Sequence, residues 1–190
     1  MTIKNNSLIK GTYFPPGDKS ISHRILILAS QTIGKSEISN LLEGEDVLNT
    51  LKAMRIFGAN ISKKNKKYVV FGVPPGGLFQ PNKPIDFGNS GTGIRLICGL
   101  IASNNIKAKL VGDGSLSKRP MKRVTVHLKK IGALINLKKD TYPPIKIQGD
   151  GEALPLKYNI MIPSAQIKSA IMLSALNTKG LIEIKEFKTT

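Results

Sequence analysis

The chain has 190 residues, of which 41% are hydrophobic and 5% aromatic, and its 29 basic and 12 acidic side chains give a formal net charge of +17. This length is enough for one well-buried domain, or for one domain and part of a second. No apolar run approaches the roughly 18 residues that span a membrane, and the first residues contain no apolar stretch of the signal-peptide type. We therefore expect a globular, cytoplasmic protein with no membrane partner.

The positive charge is compatible with nucleic acid, an anionic membrane or small polyanionic substrates. Many lysines fall in short polar connections such as residues 62–67, which is typical of solvated turns. The aromatic residues are too few and too scattered to form a stacking platform for bases. The pattern favours small anions, with a basic nucleic-acid-binding module as the alternative from another class.

Cys98 is the only cysteine, which excludes an intramolecular disulfide and a cysteine-rich metal site. It lies among Ile94, Ile97 and Ile101. We expect an inert core thiol and not a nucleophile.

Hydrophobic periodicity predicts a first unit in which a helix over residues 20–30 leads to a strand over 37–41. A second helix from Asp46 follows, with Gly58 in the position expected after its C-terminus. Two extended segments, around 60–62 and 67–71, end the unit before a Pro/Gly-rich connection.

A second unit repeats this order. It opens with a glycine-rich turn over residues 88–93, followed by a helix, a strand over 108–111 and a second helix that ends at Gly132. Gly58-Ala59 and Gly132-Ala133 occupy equivalent positions in the two units. Their separation is too long for a solenoid repeat but natural for a βαβαββ unit.

A third unit begins with an extended segment over residues 158–162, a helix from Ser164 and a strand near 181–185. Its second helix and final strands are missing before Thr190. We expect the third repeat to be truncated inside a domain.

Each unit places glycine, hydroxyl or amide residues at the start of its first helix. Lys19 precedes the first of these helices, and Arg24 lies four residues beyond Ser20 on the same face. Free N–H groups and the helix dipole at such ends favour phosphate or carboxylate. If the units pack around a common axis, these ends converge on one cleft; the alternative is a set of capped helices with solvated charges.

The segment 112–121 contains a further candidate. Pro120 suits the first turn of a helix, which puts Arg119 at the boundary, where its guanidinium could meet a carboxylate or phosphate. The alternative is a capping or surface arginine.

Five motifs, in chain order, resemble the N-terminal half of the 5-enolpyruvylshikimate-3-phosphate synthase family (3-phosphoshikimate 1-carboxyvinyltransferase). They read PGDKSISHR, LLEGEDVLNTLKAM, GNSGTGIRL, GDGSLSKRPM and PSAQIKSAIMLSALNT, and they cover essentially the whole chain. The first and last are similar to the class II branch, whose members often carry alanine where Gly91 stands here. The enzymatic alternative is the related UDP-N-acetylglucosamine enolpyruvyl transferase, but that family has a Lys-Asn pair where Lys19 is followed by Ser20.

The resemblance implies an α/β enolpyruvate transferase fold, an inside-out α/β barrel of βαβαββ repeats around a pseudo-threefold axis. It implies transfer of the enolpyruvyl group of phosphoenolpyruvate to the 5-hydroxyl of shikimate 3-phosphate, in the shikimate pathway to chorismate and the aromatic amino acids. Neither a metal nor an organic cofactor is implied. Because both substrates are anionic, lysines and arginines must gather the charge.

Residue by residue, the resemblance places Lys19 against both substrates. It implies that shikimate 3-phosphate is bound by Lys19, Ser20, Arg24, Ser164, Ala165 and Gln166. It implies that phosphoenolpyruvate is bound by Lys19, Gly91, Arg119 and Gln166.

Other polar residues in the motifs are expected to be structural. Asn89 and Thr92 are expected to shape the loop, and Arg95 and Ser115 to act as scaffold. Asp46 has a family counterpart near the cleft, but it also opens the second helix, where an acidic cap is favoured, and we expect the structural role. We expect the two histidines, His23 and His127, to be packing or surface residues.

In the family, the proton-transferring residues lie in a second domain, beyond the position of Thr190, so no catalytic acid or base can be named here. Family topology assigns residues 1–13 to that second domain and residues 14–190 to an incomplete N-terminal domain. We expect the parent enzyme to be a monomer that takes only small-molecule substrates, and this chain alone to be inactive.

Overall fold

The computed structural model describes residues 10–151, 153–161 and 163–186. Its first unit contains α1 (Lys19–Ser30), β1 (Lys35–Ile38), α2 (Glu45–Ile56), β2 (Asn60–Lys64) and β3 (Lys67–Phe71). Both β1 and β2 pair antiparallel with β3, which gives a three-stranded sheet in the order β1-β3-β2.

The second unit has the same order with one more strand in its sheet. It contains β4 (Ile85–Asp86), α3 (Gly91–Ala102), β5 (Lys107–Val111), α4 (Lys122–Lys130), β6 (Leu134–Lys138) and β7 (Tyr142–Gln148). Here β5 and β6 pair antiparallel with β7, as β1 and β2 do with β3, while β4 lies parallel to β5.

The third unit contains β8 (Lys157–Ile160), α5 (Ala165–Ala175) and β9 (Glu183–Glu186). The strands β8 and β9 are parallel, like β4 and β5, so the third unit repeats the start of the second. The mixed α/β class and the repeat predicted from the sequence are confirmed. The pseudo-threefold barrel stays a prediction, and one end of the strand predicted over 158–162 lies outside the described residues.

Several element boundaries differ from the sequence-based prediction. Helix α1 begins at Lys19, because the Asp18 side chain accepts a hydrogen bond from the Ile21 N–H at 2.7 Å and so caps the helix one residue earlier. The first strand spans Lys35–Ile38 and not 37–41. Pro120 lies before α4 and not in its first turn, since that helix begins at Lys122.

Helix α3 is the centre of the core, with ten of its twelve residues buried. A helix that is apolar on all sides belongs inside a protein. Cys98 lies on this helix at 1% exposure, and burial raises the pKa of its thiol to about 12. The expected position of this thiol in the core is confirmed.

Helices α3 and α5 approach so closely that their backbones touch. A Cβ atom at Gly99 would lie 2.1 Å from the Ala170 carbonyl oxygen. Contacts also join the first turns of the two helices, where the Gln166 amide donates to Thr92 Oγ1 at 3.1 Å. The two helices therefore run parallel, with their N-termini side by side.

An open apolar groove separates α1 from α5. Helix α2 packs against α1 and α3, and α4 packs against α3 and α5, but no helix among the described residues fills the corresponding position between α5 and α1. A cavity of about 200 Å³ lies there, lined by Arg24, Leu28, Ser169, Met172, Leu173 and Leu176. None of the helices in the described part of the chain has the length and apolar character needed to cross a membrane.

Candidate active site

The first helices of the three units begin at the same end of the molecule. Gln166 at the start of α5 contacts Thr92 at the start of α3. Arg24 in the second turn of α1 donates to Ser169 Oγ in the second turn of α5, with Nη2–Oγ at 2.8 Å. The convergence of helix N-termini predicted from the repeats is thus present, and their dipoles favour anions at this end.

The α1 part of the site carries two cations. Lys19 forms an ion pair with Asp46, and Arg24 Nη1 donates to the Ser20 carbonyl at 2.9 Å, as expected for residues four apart on one helix face. Asp46 is the second residue of α2, whose N-cap is Gly44. The Asp46 carboxylate therefore does not cap its helix as predicted. It lies in the first turn, where its negative charge interacts favourably with the helix dipole, and it pairs with the Lys19 ammonium.

The turn before α3 is capped by Ser90, whose Oγ accepts from the Gly93 N–H at 3.2 Å. The neighbouring Asn89 side chain accepts a hydrogen bond from Arg119. Ser115 Oγ accepts a second bond from this guanidinium, at 3.4 Å. Asn89 and Ser115 therefore both orient the Arg119 guanidinium. For Asn89 this is the form that the expected loop-shaping role takes, and for Ser115 it is the form of the expected scaffold role.

Gly91 lies against two guanidinium groups. A Cβ atom there would be 3.0 Å from Arg119 Nη1 and 3.0 Å from Arg95 Nη1. Both arginines can reach the backbone of the turn because this position has no side chain. An alanine there would displace both groups by a few tenths of an ångström.

Arg95 ties the three segments of this region together. Its guanidinium donates to the Gly91 carbonyl at 3.0 Å, to Gln166 Oε1 at 3.1 Å and to the Pro120 carbonyl at 3.1 Å. Burial, followed by repulsion from Arg119 and Arg123, lowers the pKa of Arg95. The residue has the scaffold role expected from the sequence, within a cluster of three arginines.

The start of α5 offers hydrogen-bond donors. Ser164 is the N-cap, and its Oγ accepts from the Ile167 N–H at 3.4 Å. The hydroxyl hydrogen remains available to donate to an anion. Ala165, the first helical residue, has one of the N–H groups that the helix itself cannot satisfy.

Arg123 was missed by the sequence reasoning. A cavity of about 130 Å³ is lined by Arg95, Pro120, Arg123, Val124, Ser164, Gln166 and Ile167. Arg123 lies in the first turn of α4, which contains no acidic residue, so its charge opposes the helix dipole. A basic pair in the first turn of a helix is the sequence signal that could have identified it.

The two histidines are packing residues, as expected. His23 is fully buried, with Nδ1 2.8 Å from Thr50 Oγ1. His127 lies against the Tyr158 ring and shares a hydrogen bond of 2.7 Å with its hydroxyl. The described residues contain no group of three or more His, Cys, Asp or Glu side chains able to hold a metal ion.

The burial of His23 predicts a pH-dependent stability. Burial lowers the pKa of its imidazole from 6.5 to about 4, with Asp46 opposing and Lys19 and Arg24 assisting the shift. Between these values the unfolded state binds a proton that the folded state does not, so the contribution is complete above pH 6.5 and lost as the pH falls towards 4. Denaturant titrations should show His23 lowering the free energy of unfolding by about 2 to 3 kcal/mol over this window.

His23→Gln serves as the control for this prediction, because carboxylates also titrate in the window. The difference between the two proteins isolates the imidazole. If the free energy of unfolding had the same pH dependence in both proteins, the assignment of this change to His23 would be contradicted.

Comparisons with known proteins agree with this geometry. Residues 3–190 match the family model for EPSP synthase (3-phosphoshikimate 1-carboxyvinyltransferase). The chain is 47% identical over 191 residues to the 3-phosphoshikimate 1-carboxyvinyltransferase of Ruegeria sp. strain TM1040, with 100% of this chain and 42% of the relative covered. It is 44% identical over 187 residues to that of Parvibaculum lavamentivorans, with 98% and 42% covered.

A solved structure of EPSP synthase from Acinetobacter baumannii superimposes with a TM-score of 0.89 at 37% identity, and covers 95% of this chain and 41% of that one. The chain thus spans about two fifths of the length of the relatives that it matches. With the family model, the two relatives and the fold in agreement, the chain belongs to the EPSP synthase family.

Proposed function

We propose that this chain forms the N-terminal part of an enzyme that transfers the enolpyruvyl group of phosphoenolpyruvate to the 5-hydroxyl of shikimate 3-phosphate. The products are 5-enolpyruvylshikimate 3-phosphate and phosphate. The observation that carries the proposal is the meeting of three helix N-termini with Lys19, Arg24, Arg119 and Gln166 at one end of the fold. Each substrate has a phosphate and a carboxylate, and this end of the fold supplies charges and N–H groups that bind both.

In this proposal shikimate 3-phosphate lies between α1 and α5. Its phosphate and ring are bound by the Ser164 hydroxyl, the Ala165 N–H and the Gln166 amide. Ser20 and Arg24 bind the remainder of the molecule, and Arg24 does so through the substrate carboxylate. Support comes from the Arg24–Ser169 hydrogen bonds, which keep the guanidinium between the two helices.

Phosphoenolpyruvate lies at the turn before α3, beside Gly91, Arg119 and Gln166. The missing side chain at Gly91 leaves the backbone and Arg119 accessible from the same side. Lys19 lies between the two substrates, where its ammonium offsets the repulsion between two anions that must be brought together. In this proposal the acid and base of the proton transfers lie in the second domain, outside this chain.

We further propose that residues 14–190 are an incomplete domain and that residues 1–13 belong to a second one. The open α1–α5 groove supports the first part, because the repeat places a helix there in the other two positions. Residues 1–9 of that segment lie outside the described residues. The 79% exposure of the Tyr13 side chain supports the second part, because the rest of the domain leaves this ring largely uncovered. In this arrangement the enzyme acts as a monomer in the cytoplasm.

A chimera tests the function directly. This chain replaces the matching N-terminal 42% of the Ruegeria enzyme, and phosphate release is measured with both substrates present. We expect release that depends on shikimate 3-phosphate, with the intact Ruegeria enzyme as the reference. A chimera that melts cooperatively but releases no phosphate would contradict the proposal.

The chain alone should bind shikimate 3-phosphate weakly or not at all, and should release no phosphate, because the other part of the cleft is supplied elsewhere in the enzyme. Calorimetry and a phosphate-release assay measure the two quantities. Micromolar affinity would contradict the first expectation, and turnover would contradict the second.

A further inference from the structure

A second basic cavity lies away from the helix N-termini, on the outer face of the second sheet. Its volume is about 450 Å³, and one wall is the loop of residues 80–84. The Gln80 side chain binds the backbone of Lys107 in both directions, donating to its carbonyl at 2.5 Å and accepting from its N–H at 2.9 Å. The amide thus attaches the loop to β5, and the cavity is bounded on both sides by ordered structure.

Four lysines and no acidic residue line this cavity, which we call the lysine cavity. They are Lys83, Lys107, Lys109 and Lys146. None of the four forms an ion pair with any described residue. Lys107 and Lys109 alternate with buried residues along β5, so both project from the outer face.

The strand pairing brings like charges together. Lys109 lies directly opposite Lys146 in the antiparallel pair of β5 and β7. Side chains directly opposite each other on one face are close neighbours, and like charges there destabilise a sheet. The arrangement lowers stability unless an anion compensates it.

The first sheet provides an internal comparison. Lys35 and Glu37 occupy positions in β1 that correspond to Lys107 and Lys109 in β5, because both strands pair with the third strand of their unit in the same register. Glu37 forms ion pairs with Lys35 and Lys67. At the position where the first sheet carries a neutralising carboxylate, the second carries another lysine.

We propose that the lysine cavity binds a small, multiply phosphorylated anion, such as inorganic triphosphate or the triphosphate chain of a nucleotide. The volume lies within the range of small-molecule sites, and four flexible ammonium groups suit an anion whose charges are spread over several phosphates. No aromatic side chain lines the cavity, so nothing there stacks on a base. Recognition therefore rests on the phosphate chain alone, and this site is independent of the proposed transferase site.

The test is titration of the purified full chain with inorganic tripolyphosphate, ATP, adenosine and a DNA duplex. Binding is measured by calorimetry and by amide chemical shifts. We expect tripolyphosphate and ATP to bind with similar affinity, to shift the amides of β5 and β7, and to weaken steeply with added salt. Adenosine should not bind. Similar affinity for the two triphosphates identifies the phosphate chain, and not the nucleoside, as the ligand.

Lys109→Glu recreates the arrangement around Glu37 and should weaken tripolyphosphate binding at least about tenfold. Lys64→Glu, the same charge change at an exposed position on the first sheet, should leave it nearly unchanged. If the glutamate variant does not fold, Lys109→Gln repeats the test, because it removes the positive charge without introducing a negative one.

Three results would overturn the proposal. They are the absence of tripolyphosphate binding at low salt, an equal loss in Lys64→Glu and Lys109→Glu, and a strong preference for duplex nucleic acid over tripolyphosphate. The second would mean that net charge alone is responsible, and the third that the lysines belong to a nucleic-acid surface.

Discussion

Replacing Lys19 by methionine in the chimera is expected to lower kcat/KM at least about 100-fold, which corresponds to about 3 kcal/mol of transition-state stabilisation. The ammonium is the one charged group that the proposal places between both anionic substrates. Methionine keeps much of the length of the side chain and removes only the charge and its donors. The measurement is steady-state phosphate release with each substrate varied in turn.

The matched control is Lys64→Met, which removes the same charge from an exposed position on β2. It should leave kcat/KM within about twofold of the parent chimera, because surface charges contribute little at a distance in salt. A Lys19 variant with unchanged kcat/KM for both substrates would remove Lys19 from the site.

Replacing Gly99 by alanine is expected to destabilise the core strongly. The new Cβ would lie 2.1 Å from the Ala170 carbonyl oxygen and 2.7 Å from its Cα, and these are backbone atoms that cannot rotate away. Helices α3 and α5 would have to separate along their whole contact. We expect a loss of about 3 kcal/mol in the free energy of unfolding, despite the better helix propensity of alanine.

Urea titration of the purified chain measures this loss, and Gly114→Ala is the control. A Cβ at Gly114 would meet no atom within 4 Å. That variant should stay within about 0.5 kcal/mol of the parent, as surface substitutions usually do. Equal stability of the two variants would show that the helices can move apart at no cost.

Much of the fold could be predicted from the sequence, because the residue patterns that indicate helices and their ends are local. The periodicity of Ile94, Ile97 and Ile101 predicts α3. Gly58 and Gly132 follow α2 and α4, respectively, with φ values of +104° and +107°, where glycine costs least. These patterns recur, and so the repeat itself was predictable.

Local capping was predicted less well, because neighbouring residues compete for it. Asn89 and Ser90 are both good caps by type, and only the position of Arg119 shows why Ser90 takes the cap while Asn89 binds the guanidinium. Asp46 is similar, since a cap and an ion-pair partner look alike in sequence. In each case a residue remote in sequence decides between two reasonable local roles.

The candidate site was likewise predicted only in part from the sequence. The motifs identify Lys19, Arg24 and Arg119 as cations near helix starts, and the resemblance implies which substrate each one meets. The fold adds the partners that orient them, such as Ser169 for Arg24. These two residues are 145 positions apart, and no periodicity in the chain relates them.

Residue type and spacing thus determined the helices, the repeat and the anionic character of the ligands, because each depends on neighbours within a few turns of the chain. Tertiary structure alone decided which helix ends meet, that α3 and α5 touch at Gly99, and that lysines face one another on the second sheet. The physical reason is that these features arise from packing and strand register. Both join residues whose separation along the chain carries no local signal.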